Sequence, residues 1–155
     1  MGSRITGISR VPIPSAQVHP MPATTSPDKG VASYEDELKK FFQTIHLNRP
    51  QFDLITLGVG EDGHVASLFP GHHSTASEQW VLSVKGGNPN LYRMTLTYVV
   101  LNNAKRILFL VSGRKKAKTV KTIFENRQNR LPASRIRPLN GIVTWLLDKD
   151  AASML

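Results

Sequence analysis

The 155 residues contain no cysteine, which rules out a disulfide framework and any thiolate chemistry within them. No apolar run approaches the roughly 20 residues that cross a bilayer, and the start lacks the apolar core of a secretion signal. A soluble, cytosolic protein with no membrane partner is the expectation. Acidic residues are scarce, 11 against 20 Lys and Arg, leaving a formal charge of +9. Such a balance suits nucleic acid, an anionic surface or a small phosphorylated substrate. Aromatic residues make up only 7% of the chain and do not interleave with the basic ones, so no base-stacking platform is expected and nucleic acid is not an expected partner. Internal repeats are also missing. Hydrophobic residues, at 40%, are enough for one real core.

The densest stretch is Phe52 to Gly71, FDLITLGVGEDGHVASLFPG. Leu54 to Leu57 form a compact run that suits a strand buried on both faces of a parallel sheet. Gly58, Gly60 and Gly63 then predict a sharp turn that another group can approach closely. Polar groups in a loop after a buried strand lie where open α/β sheets hold ligands, beyond the strands' carboxyl ends. An unperturbed imidazole can accept or deliver a proton near neutral pH, which makes His64 the candidate of most interest, and Asp62, two residues earlier, can orient its ring. A loop histidine ordinarily does no more than satisfy hydrogen bonds; strand, glycines, acid and imidazole together favour the chemical reading.

The chain order supports an α/β class. Met1–Arg10 reads as an unstructured start, in part an expression scar, followed by one domain over 11–155. Gln17–Met21 reads as a short strand cut off by Pro20 and Pro22. Val31, Tyr34, Leu38, Phe41, Phe42 and Ile45 recur at helical spacing, with His46 placed to cap the helix end. Trp80–Val84 and Tyr92–Thr97 read as strands around a mobile turn, Lys85–Asn90. Val99–Ala104 reads as a short helix and Arg106–Val111 as a second buried strand. Ser112-Gly113-Arg114 leads into a helix over 115–126, an arrangement that turns N–H groups toward an anion. Ile142–Leu147 is a last strand before a terminal helix through Leu155. His72 and His73 share a polar loop, but neighbouring side chains seldom converge on one ion, so no metal is expected. Alternating strands and helices predict a three-layer α/β sandwich with a mostly parallel sheet.

Gly58 to Gly71 resembles the signature of the 6-phosphogluconolactonase family and, more distantly, that of the glucosamine-6-phosphate deaminases and isomerases. Ser67-Leu68-Phe69-Pro70-Gly71 is similar to the lactonases; the deaminases carry a catalytic carboxylate there that this chain lacks. The resemblance implies a Rossmann-like, NagB/RpiA-like fold and hydrolysis of 6-phosphoglucono-δ-lactone to 6-phosphogluconate in the oxidative pentose phosphate route. It implies His64 as general base, Asp62 as its orienting group, and the N–H groups of Gly60 and Gly63 as oxyanion donors. Arg93, before Met94-Thr95-Leu96-Thr97, and Lys116, in Ser112-Gly113-Arg114-Lys115-Lys116-Ala117, resemble the family's phosphate ligands, while Lys115 and Lys118 read as solvated. A phosphorylated sugar lactone is the implied partner, with no metal or nucleotide cofactor.

The match covers Val11 to Leu155 but only the later half to two thirds of a typical member. The family's upstream strands and its Ser-Gly-Gly-Ser/Thr phosphate loop are not found, and Ser112-Gly113 does not replace them. Two alternatives therefore stand beside the lactonase: a glucosamine-6-phosphate deaminase or isomerase, and a half-site that needs a complementing chain or self-association.

Overall fold

A computed structural model describes residues 10–22, 26–71, 78–126 and 128–155. Most of the expected start and the histidine loop over 72–77 lie outside these residues. The elements are α1 (Pro27–Thr44), β1 (Ile55–Leu57), β2 (Val81–Gly86), β3 (Leu91–Leu96), α2 (Tyr98–Leu101), β4 (Arg106–Val111), α3 (Ala117–Glu125) and β5 (Ile142–Leu147). Three-residue 3-10 turns at Ser15–Gln17 and Arg114–Lys116, and a four-residue one at Pro132–Arg135, complete the list.

The strands form two sheets. One is parallel, in the order β1-β4-β5, with Leu57 beside Phe109 and Phe109 beside Trp145. The other is an antiparallel β2-β3 hairpin, Val81 facing Leu96 through to Gly86 facing Leu91. The mostly parallel α/β expectation therefore holds, with the hairpin standing apart from the main sheet.

Two cores follow from the apolar periodicities. In the first, Ile107, Phe109 and Val111 of β4 pack with Leu57, Val65, Leu68, Leu101, Val120 and Ala133, and the Phe109 and Trp145 rings stack at 3.8 Å. In the second, Tyr34, Leu38 and Phe42 of α1 meet Val81 and Met94 of the hairpin. Glu35, on the same helix, accepts hydrogen bonds from the Trp80 and Val81 N–H groups at 3.0 and 3.2 Å, tying α1 to the start of β2.

Strand alternation makes the two faces of the parallel sheet different. Ile107, Phe109 and Val111 are buried, whereas Arg106 and Leu110 on β4 and Ile142, Thr144 and Leu146 on β5 are exposed. Leu54 and Thr56 are exposed as well. The expectation that Leu54–Leu57 is buried on both faces is thus corrected: among the described residues, only one face of the sheet is covered. An apolar strand composition reports what a strand can bury, and leaves open which neighbours are present to cover it.

Three smaller expectations also change. Gln17 ends a 3-10 turn and residues 18–22 form no strand; Pro20 and Pro22 have no N–H to give a ladder. Asp148–Leu155 is a series of turns, not a helix: Ala152 bonds back to Asp148, but Ser153 and Leu155 bond only three residues back. The end of α1 is closed by backbone: His46 adopts φ 59°, its N–H donates to Gln43 O, and the Leu47 N–H donates to Phe42 O.

Candidate active site

Parallel pairing sends the carboxyl ends of β1, β4 and β5 to one edge of the sheet, so the loops at 58–71, 112–116 and 148–152 gather there. Because β1 and β4 are neighbours, the His64 loop and the Lys116 turn are adjacent. They share an open cavity of about 720 Å³. Gly60, Glu61, Asp62, His64, Phe69 and Pro70 line one side, Lys116 another, and Gly86, Gly87 and Asn88 at the tip of the β2-β3 hairpin form a third.

The centre of this wall is an acid–imidazole pair. Asp62 Oδ1 lies 2.6 Å from His64 Nδ1 and accepts the His64 backbone N–H at 3.1 Å. An ionised carboxylate can only accept, so the short contact assigns a proton to Nδ1, and in the neutral ring the lone pair is then on Nε2. Partial burial works against the charged Asp62 carboxylate, but the His64 N–H groups and the ring outweigh it and hold the carboxyl below its ordinary range. Phe69 braces the imidazole, with ring centroids 4.9 Å apart.

The glycines serve the pair by leaving space. A Cβ on Gly60 would stand 2.0 Å from His64 Nδ1 and 2.5 Å from Asp62 Oδ1. Gly63 has φ +80°, and a Cβ there would press on Leu131 at 2.9 Å. The oxyanion role expected of their N–H groups does not follow from this geometry. Gly60 N–H donates to His64 O at 2.9 Å and Gly63 N–H donates to Gly60 O at 3.0 Å, so both bonds close the loop on itself.

The cationic candidates are placed differently. Lys116 is half-buried and lines the cavity, while Lys115 and Lys118 are exposed, as expected. Arg93 stands behind the hairpin rim, where its Nε donates to Gly86 O at 3.2 Å and its guanidinium lies by Gly87. It supports the rim and is not among the residues lining the cavity. The turn at Gly113, expected to face an anion, is partly engaged: Gly113 N–H donates to the Asp148 carboxylate at 2.9 and 3.1 Å, and Asp148 further accepts from Ala151 N–H at 2.7 Å. Among the described residues, no cluster of His, Asp or Glu side chains is arranged to hold a metal ion.

Phe69, the Gly86–Asn88 rim and Asp148 were not singled out as site residues from sequence. Phe69 sits inside the motif and carried a signal; Gly86-Gly87 reads as an ordinary turn until the hairpin is seen to lean over the loop.

An open parallel sheet with its polar loops gathered at the carboxyl edge defines a Rossmann-like α/β protein, and no helix among the described residues is long and apolar enough to cross a membrane. Residues 4–145 match the family described as glucosamine-6-phosphate isomerases/6-phosphogluconolactonase, and the chain belongs to that family. It is 37% identical over 150 residues to a 6-phosphogluconolactonase of Rattus norvegicus, covering 96% of this chain and 58% of that one. A 6-phosphogluconolactonase of Synechocystis sp. is 39% identical over 158 residues, 99% of this chain and 64% of that one. The crystal structure of devB protein superposes with a TM-score of 0.87 at 33% identity, covering 94% of this chain and 62% of that one. The 6-phosphogluconolactonase structure from Thermotoga maritima gives a TM-score of 0.76 at 32% identity, covering 90% and 60%. The chain thus spans less than two thirds of the relatives it matches.

Proposed function

We propose that these residues carry the base and a phosphate-binding side of a cytoplasmic 6-phosphogluconolactonase, hydrolysing 6-phosphoglucono-δ-lactone to 6-phosphogluconate. The observation that carries the reading is the Asp62–His64 pair, 2.6 Å apart, in the wall of a cavity that Lys116 also lines. His64 Nε2 takes a proton from a water whose oxygen forms a bond to the lactone carbonyl carbon. Asp62 holds the Nδ1 proton and stabilises the imidazolium that results. When the tetrahedral adduct collapses, the bond from that carbon to the ring oxygen breaks, and the imidazolium returns its proton to the departing oxygen. Lys116 offers a point charge to the phosphate, and Arg93 stiffens the rim over it.

The test is hydrolysis of freshly generated 6-phosphogluconolactone above its spontaneous decay. His64→Ala is expected to remove turnover while leaving thermal unfolding unchanged; turnover that survives the substitution refutes the base assignment.

A second reading, the half-site awaiting a complementing chain, is favoured by the uncovered sheet face carrying Leu110, Ile142 and Leu146. It expects background-level decay from the 155 residues alone and turnover once the upstream residues of a lactonase relative are supplied. The deaminase reading is disfavoured because Glu61 and Asp62 are the only carboxylates among the described residues lining the cavity. Ammonia release from glucosamine 6-phosphate would restore it.

A further inference from the structure

Thr119 has no task in the chemistry above, yet it joins the two sides of the site. It lies on α3, three residues beyond Lys116, and is only 7% exposed. Its Oγ1 donates to the Glu61 carbonyl at 2.5 Å. Glu61 is bonded directly to Asp62, whose Oδ1 accepts both hydrogen bonds from His64. A continuous path of short links therefore runs from the lysine-bearing segment to the imidazole.

The other ties on this loop come from elsewhere. Ala133 N–H donates to Gly63 O at 3.0 Å, from the turn at Pro132–Arg135, and Ser67 N–H donates to Thr95 Oγ1 at 3.1 Å, from β3. Both hold the loop to the body of the domain, but neither refers it to Lys116. The backbone amide between Glu61 and Asp62 sets the direction in which the Asp62 side chain leaves the chain, and the Glu61 carbonyl belongs to that amide. Removing the donor leaves a partly buried carbonyl seeking another partner, and the peptide plane turns to find one.

We infer that Thr119 is a positioning residue: its hydroxyl fixes the spacing between Lys116 and the Asp62–His64 pair. A substrate held by its phosphate at one point and attacked at another needs that spacing constant, since a misplacement of about 1 Å can cost on the order of 100-fold in rate. The kinetic consequence rests on the lactonase reading; the structural one does not.

The test compares Thr119→Val, nearly equal in shape but without the donor, with Thr119→Ser, which keeps it. Two readouts are taken: the nitrogen-15 resonances of the His64 ring, assigned by their loss in His64→Ala, and lactone hydrolysis. Thr119→Val is expected to shift the His64 resonances and to lower kcat roughly 10- to 100-fold with KM nearly unchanged, while Thr119→Ser stays close to the parent in both. Unmoved His64 resonances in Thr119→Val overturn the inference. So does a serine variant as perturbed as the valine one, because the methyl group's packing would then be responsible. Should valine unfold the chain, Thr119→Ala provides the donor-free comparison. If the parent shows no lactonase turnover, alone or with the upstream residues of a lactonase relative supplied, the function proposed above fails, and the His64 resonances still decide the role of Thr119.

Discussion

Gly60→Ala isolates the geometry on which the site depends. The added Cβ would stand 2.0 Å from His64 Nδ1, 2.3 Å from Cε1 and 2.5 Å from Asp62 Oδ1. Ordinary contact begins near 3.4 Å, so the ring must retreat from 2.0 Å to at least that distance, a movement of about 1.4 Å. Such a retreat cannot keep Nδ1 at 2.6 Å from the carboxylate. A hydrogen bond to a charged group contributes about 1.5–3 kcal/mol, which converts to roughly 10- to 150-fold in rate where the bond must hold in the transition state. Misplacement of the base by about 1 Å predicts a loss of the same order, near 100-fold. The backbone itself should tolerate alanine, because Gly60 is not among the glycines with a left-handed φ. Removing a glycine also restricts the unfolded chain, by about 0.4–1 kcal/mol in favour of folding. The expected result is therefore a chain that melts no lower than the parent by more than a few degrees, hydrolyses the lactone about 100-fold more slowly, and shows displaced His64 ring resonances. Full turnover in Gly60→Ala, with those resonances unmoved, would refute the claim that Gly60 is there to seat the imidazole.

Other substitutions separate stability from chemistry. Gly63→Ala meets both a left-handed φ of +80° and the Leu131 side chain at 2.9 Å, so chemical denaturation should show a loss of about 1–3 kcal/mol, unlike Gly60→Ala. Glu35→Ala leaves the Trp80 and Val81 N–H groups without their acceptor and should cost about 1–3 kcal/mol. Partial burial pushes the Glu35 carboxyl up, but Lys39 and those two N–H groups outweigh it and hold it below its ordinary value. Its stabilising contribution is therefore present above the unfolded pKa, roughly 4.3, and disappears as pH falls through the lower folded value. Acid unfolding curves of the parent should be steeper there than those of Glu35→Gln. Lys116→Met should raise KM about 10- to 150-fold with kcat little changed, the signature of a lost ground-state contact worth about 1.5–3 kcal/mol. On the sheet, Phe109→Ala should cost about 3–5 kcal/mol, whereas Leu146→Ser, on the open face, should stay within about 0.5 kcal/mol.

What was legible in the sequence was contiguous. The Gly58–Gly71 loop carries its acid, imidazole and glycines within a few bonds of one another, so their meeting needed no tertiary information. Of the helical stripe, Tyr34, Leu38 and Phe42 are buried as their spacing implies, whereas Phe41 and Ile45 at its margin are exposed. Features that depend on distant partners were not legible. Nothing in Gly60-Glu61-Asp62-Gly63 says that two N–H groups close the loop and are taken before any oxyanion arrives. Asp148 resembles a strand-end residue until Gly113, 35 positions earlier, is found donating to it. Thr119, among Lys116, Lys118 and Lys121, looks like solvated helix until its hydroxyl is seen on Glu61. Leu54–Leu57 shows the same limit in the core, since an apolar strand cannot say whether both of its faces have neighbours.

The uneven sheet explains how the candidate site is held although, among the described residues, one face of the sheet is open. The buried face of β4 holds Ile107, Phe109 and Val111 against the loop residues Val65 and Leu68 and against Val120 of α3. Those contacts anchor the His64 loop and the Lys116 turn from beneath, through the same cluster that stabilises the sheet. The open face, with Leu110, Ile142 and Leu146, contributes nothing to that anchoring. Positioning of the Asp62–His64 pair and cover of the second face are therefore separate requirements. The pair keeps its 2.6 Å contact while the second face is uncovered among the described residues, so on the lactonase reading added residues should act on turnover through substrate binding more than through the base.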